Sequence, residues 1–234
     1  AHPDVGLDVL DEVAKVLTWP ATHEQVEAAS RLVPDEIVEM LTASGTPADA
    51  RAKEALDSLN NSGFDFSQYD ADNNGEVDSV SCFYAGTCTN AWAEGLWPGN
   101  IGMNSAWSAD GVNVTEFQIT DMGTSLTIET FCHECGHLLM DWPDLYDYGD
   151  DSAGVGAFCI MCSGASATNP IEPCAYLKTR AGWTNVVELT SPQSLLTATA
   201  GTNTVYKVPH PTLSREYYLI ENRQRTGRDS ALPD

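Results

Sequence analysis

Two of the chain's five histidines stand four residues apart, in the segment His133-Glu-Cys-Gly-His137. On a helix that spacing places both side chains on one face, about 40° apart around the axis. Both imidazoles can then reach one metal ion at the ~2.0–2.1 Å typical of zinc–nitrogen bonds. Glu134, directly after the first histidine, is placed to hold a metal-activated water and take its proton. The surrounding stretch, residues 127–139, is otherwise apolar, so it would carry three polar groups inward together. Burying such groups is costly without a partner, and a metal ion supplies one. The five-residue pattern is short and also arises by chance, so core or surface histidines are the alternative reading. His2, His23 and His210 lie outside any cluster and read as surface residues.

A catalytic zinc takes three protein ligands and keeps a fourth position open. Pro143 prevents helix continuation soon after His137 and turns the chain back. Asp144, seven residues beyond His137, is therefore the expected third ligand, with Asp147 a nearby competitor and Glu172 a remoter one.

A second cation chemistry is suggested by the run Asp70-Ala-Asp-Asn-Asn-Gly-Glu-Val-Asp78, which sets oxygen-bearing side chains at alternate positions around Gly75. It resembles the first half of an EF-hand loop, but Ser81 stands where the bidentate glutamate belongs. A calcium-stabilised turn is expected, using Asp70, Asp72, Asn74 and Asp78 with the backbone carbonyl of Glu76. A metal-free turn rich in Asp, Asn and Gly has the same composition.

These groups must be positioned by a chain of 234 residues, enough for one full-sized domain or a core domain with a small appendage. Helices are expected across residues 4 to about 60: a first run ended by Pro20, a second from near Glu24, a third opened by Pro34 and a fourth over residues 48–59. Alternating residues 76–85 and 112–120 read as strands, with a loop across 87–110. The histidines fall on a helix over residues 127–139. An irregular stretch runs to about residue 169, a short helix spans 174–181, and short strands fill 187–222. Fold class is therefore α/β (α+β), with a helical portion over 1–60 and the chemistry in 61–234.

Thirty-four acidic residues against eleven basic ones give a formal net charge of −23. Such a surface repels nucleic-acid phosphates and anionic lipid headgroups, so neither nucleic acid nor membrane is an expected partner. No stretch approaches the ~20 apolar residues of a membrane span, and no signal peptide is visible. Seven cysteines suggest an exported, oxidised protein. The start at Ala1 suggests a processed or trimmed product.

Taken together, several segments resemble the immune-inhibitor-A family of secreted metallopeptidases, relatives of the metzincins. They are His-Glu-Cys-Gly-His-Leu-Leu (133–139), Pro-Asp-Leu-Tyr-Asp (143–147) and Gly154-Val-Gly-Ala-Phe-Cys-Ile-Met-Cys-Ser-Gly164. Weaker matches are residues 65–78, 175–183 and 216–223, and the whole spans roughly residues 60–223. The resemblance implies a metzincin-like zinc metallopeptidase domain with a mixed sheet and a zinc-binding active-site helix. It also implies Met161 as the methionine of a turn beneath the metal, where the residue alone would read as core. Two departures stand out: Met140 occupies the place of the family's glycine, and Asp144 lies one residue further from His137 than the metzincin spacing. The family continues beyond its Glu-Asn-Arg stretch, so a chain stopping at Asp234 suggests a fragment.

With Met161 in that turn, the pairs Cys132/Cys135 and Cys159/Cys162 are expected to form disulfides with one another. A structural zinc held by the same four is the rival, and Cys82 and Cys88 are spaced for a local bridge. The expected activity is secreted, zinc-dependent endopeptidase hydrolysis of protein or peptide substrates, with Glu134 as general base. Tyr146, Tyr148 and Tyr176 are unranked oxyanion donors. The strand 112–120 could pair with extended substrate or be internal, and Trp97, Trp107 and Trp142 could line a pocket or pack in the core. The alternative is a calcium-dependent extracellular binding module with a non-catalytic zinc site.

Overall fold

The computed structural model describes residues 48–89, 95–123, 127–149, 151–164, 167–192 and 196–233. The three helices expected before residue 47 lie outside these. The chain divides into two compact units, Ala1–Leu139 and Met140–Asp234. Helices and mixed sheets occur together, in keeping with an α+β class.

In the first unit, helix α1 (Ala48–Asn61) buries Ala48, Ala52 and Leu56, one residue per turn along a single stripe. That stripe joins two apolar clusters on a three-stranded sheet, one with Tyr84, Phe117 and Ile119, the other with Phe66, Trp107, Val112 and Val114. The sheet comprises β1 (Ser81–Tyr84), β2 (Gly99–Ala109) and β3 (Val112–Asp121), in the order β1-β3-β2. β1 runs parallel to β3 and β2 antiparallel to it.

β2 corrects the loop expected over 87–110. Its Gly, Asn and Ser content looks irregular, yet Asp110-Gly111 closes a two-residue hairpin that forces pairing with β3. Both turn residues have positive φ, 51° and 86°, the geometry for which Asp-Gly is favoured. The pairing is interrupted between Gly102 and Trp107, where β2 bulges outward. Asn104 and Ser105 in that bulge meet Asp49 and Lys53 of α1. β1 is shorter than the expected strand 76–85. Only Glu76 before it pairs, as an isolated bridge to Asn113, because the Asp70–Asp78 turn holds the preceding backbone.

β3 is the central strand, with both edges hydrogen-bonded. A docking strand would meet β2 along one edge of β3 and β1 at residues 118–121 of the other, so β3 is an internal member of the sheet there. Trp107 likewise belongs to the core: it is buried against Phe66 and its Nε1 donates to Asp57. Helix α2 (Glu129–Met140) touches the sheet face opposite α1 through Phe131, whose ring lies 5.1 Å from that of Phe83.

In the second unit, a mixed sheet orders β4 (Asn185–Glu188), β5 (Thr204–Pro209) and β6 (Tyr217–Ile220), with β5 central. Helix α3 (Ala175–Arg180) buries Ala175 and Leu177. The irregular stretch around them is closely packed: Cys159, Ile160, Met161 and Ile171 are all buried. Glycine is required at two places. A Cβ on Gly154 would sit 2.2 Å from the Leu145 carbonyl oxygen, and one on Gly164 would sit 2.4 Å from that of Cys159. Among the described residues no helix is long and apolar enough to cross a membrane.

Candidate metal centre

The local cause of the site is the end of α2. His133 and His137 are one helical turn apart, and the chain leaves the helix at Asp141, a non-glycine residue at φ 48°. That left-handed residue, followed by Pro143, reverses the backbone. Within this contiguous stretch, ligand atoms of His133, His137 and Asp144 lie within 4.8 Å of one another. The two Nε2 atoms are 3.2 Å apart, with the rings at 79°. Two ligands on a tetrahedral ion with ~2.0–2.1 Å bonds are separated by about 3.3–3.4 Å, so the pair already has the spacing of one tetrahedral edge. Two neutral imidazoles and one carboxylate are a donor set suited to zinc. Glu134, on the same helix, is buried.

The third-ligand competitors are engaged elsewhere. The Asp147 carboxylate accepts from the backbone N–H groups of Gly149, Asp151 and Ser152. Those bonds, that from Gly149 foremost, hold its pKa down to about 2. Glu172 lies 3.6 Å from Lys178. Asp144, by contrast, is secured by Tyr148, whose hydroxyl donates to Oδ2 at 2.7 Å. Burial, followed by a hydrogen bond to Asp144, pushes the Tyr146 hydroxyl pKa upward, and its ring packs edge-on against Tyr148. Tyr148 and Tyr146 thus face Asp144, and Tyr176 lies on α3; all three rings are exposed, Tyr148 the most.

Met161 is fully buried, and its carbonyl accepts from the N–H of Leu145, the residue after Asp144. Around that turn stand residues that pattern reading missed. Arg223 donates to both carboxylate oxygens of Asp229 and to the carbonyls of Phe158 and Glu172. Glu221 accepts from the Ala175 N–H and pairs with Lys178 at 2.7 Å. The 216–223 segment was visible as a motif, but apart from Asp229 those partners of Glu221 and Arg223 are 43 to 65 residues away in sequence. Trp142 is buried edge-on against Trp183, a packing role, while Trp97 is part-exposed.

In the acidic turn, carboxylates of Asp70, Asp72 and Asp78 also come within 4.8 Å of one another. Asp70 accepts from the N–H groups of Asn74 and Gly75. The side chain of Asn74 is turned onto the loop itself, donating to Asp72 and accepting from the Glu76 N–H. The Glu76 carboxylate lies near the Thr115 hydroxyl.

Among the described residues, two groups of metal-ligating side chains converge, and neither contains a cysteine. Cys82 and Cys88 pack as thiols against one apolar cluster rather than bridging. The Cys162 sulfur faces the Ala153 carbonyl, and Cys159 faces Cys174 rather than a cysteine of α2. Compared with known proteins, the chain matches no family model and no curated protein.

Proposed function

We propose that this protein is a secreted, zinc-dependent endopeptidase of metzincin-like fold, related to the immune-inhibitor-A metallopeptidases. The observation that carries the reading is the convergence of His133, His137 and Asp144 beside a buried Glu134. His133, His137 and Asp144 would hold a zinc ion, which would supply Lewis acidity toward a scissile carbonyl and a water. Glu134 takes the proton of the attacking water on its carboxylate and returns it to the leaving amine. Tyr146 and Tyr148 hold the Asp144 side of the site in register.

The test is hydrolysis of an unfolded protein by the purified chain beside Glu134→Ala. The native form is expected to cleave it and to stop when a chelator removes zinc; the variant binds zinc without turnover. Equal activity of the two would place catalysis elsewhere.

The Asp70, Asp72 and Asp78 convergence supports a structural calcium ion, with a Glu76 carbonyl contribution. Calcium is then expected to raise the melting temperature beyond the effect of magnesium at equal ionic strength, and Asp72→Ala to remove the difference. The same observation favours the second reading, a calcium-dependent extracellular binding module whose zinc site is silent. It predicts zinc binding without hydrolysis in the native chain.

A further inference from the structure

The second unit holds two cysteines that the metal chemistry does not use. The Cys174 backbone N–H donates to the Cys159 sulfur at 3.3 Å. Both backbones are fixed before any bond forms. The Cys159 carbonyl accepts from the N–H groups of Cys162 and Gly164, and Gly164 packs too tightly against it to admit a Cβ. Cys174 follows Pro173, and its carbonyl accepts from Lys178 in the first turn of α3. Disulfides are strained when their backbones must move far, and here the Cys174 backbone already touches the Cys159 sulfur. Cys162, the other sulfur of this segment, points instead toward Ala153.

We infer that Cys159 and Cys174 are a disulfide-forming pair that, when oxidised, staples the buried Met161 turn to helix α3. The oxidant is a low-molecular-weight disulfide such as oxidised glutathione. Cys174, the partly exposed member, attacks it as thiolate; the glutathione S–S bond breaks, and one glutathione leaves as a thiolate that takes up a proton. The buried Cys159 then attacks the Cys174 sulfur, loses its proton, and releases the second glutathione. Two cysteine thiols are oxidised, and one glutathione disulfide becomes two thiols. The direction of attack follows from access, since Cys174 is partly exposed and Cys159 is buried. Closing the loop between them restrains the unfolded chain and leaves the native turn as it is. The Leu145–Met161 hydrogen bond carries that restraint to the residue next to Asp144. None of this depends on the proposed peptidase activity.

The experiment is peptide mapping of the full chain equilibrated with oxidised glutathione, then alkylated and digested without reduction. One peptide pair joining Cys159 to Cys174, two hydrogens lighter than the separate thiols, is expected. The oxidised chain should also melt several degrees above the reduced one. Cys174→Ser should erase that difference, and Cys162→Ser should preserve it. Either cysteine joined to a different partner, or both still alkylated at saturating oxidant, would overturn the inference. Because the mapping is done on the native sequence, its result stands even where a variant fails to fold.

Discussion

Asp144 and Asp147 lie on one short loop, three residues apart, and differ in what their oxygens meet. Three backbone N–H groups occupy Asp147, while Asp144 receives a phenol and turns toward the histidines. Outer partners that orient a metal-binding carboxylate typically contribute 10–100-fold in metal affinity. Tyr148→Phe keeps the ring against Tyr146 and removes only the donor. It is expected to weaken zinc binding by roughly that 10–100-fold factor, measured by chelator competition. Because Tyr148 is largely exposed, unchanged affinity would mean that solvent replaces it fully. The histidine spacing was legible in the sequence because helical geometry is local. The spacing after Pro143 also favoured Asp144, but what occupies Asp147, three loop N–H groups, depends on the turn and was not legible.

At the level of elements, α2 appeared within two residues of its expected bounds, since its run of helix-compatible residues ends where Pro143 forbids continuation. β2 did not. Its outward face carries Gly, Asn and Ser, and its bulge breaks the alternation that marks a strand. The signal that could have found it was Asp110-Gly111, a hairpin dipeptide immediately before a clear strand. Gly111 sits at φ +86°, so Gly111→Ala forces a side chain into a conformation costing about 1–2 kcal/mol. Urea unfolding should show that loss with an unchanged slope. The same hairpin occupies one edge of β3, while β1 takes residues 118–121 on the other.

Across the whole chain, the turn carrying Met161 is secured by residues far along the sequence. Arg223 and Asp229 are nearly buried, with about 10% of each side chain exposed. Burial alone would raise the Asp229 pKa, but the Arg223 guanidinium overrides it and holds it below its ordinary 3.8. A lowered carboxylate pKa stabilises the fold above the unfolded value, and the contribution disappears as pH falls below 3.8 through the folded value. Arg223→Ala strands Asp229 and two carbonyls, so a loss of about 3–5 kcal/mol is expected in denaturant unfolding. Part of that loss should be recovered at low pH, where Asp229 is protonated. The net charge of −23 and the His133, Glu134 and His137 spacing followed from sequence alone, because both are properties of composition or of a single helix. The engagement of Asp147 by loop N–H groups, the contact of Cys174 with the Cys159 sulfur and the Arg223 clamp required the tertiary structure. Each depends on which distant or non-helical backbone groups a side chain meets, and residue order does not encode that locally.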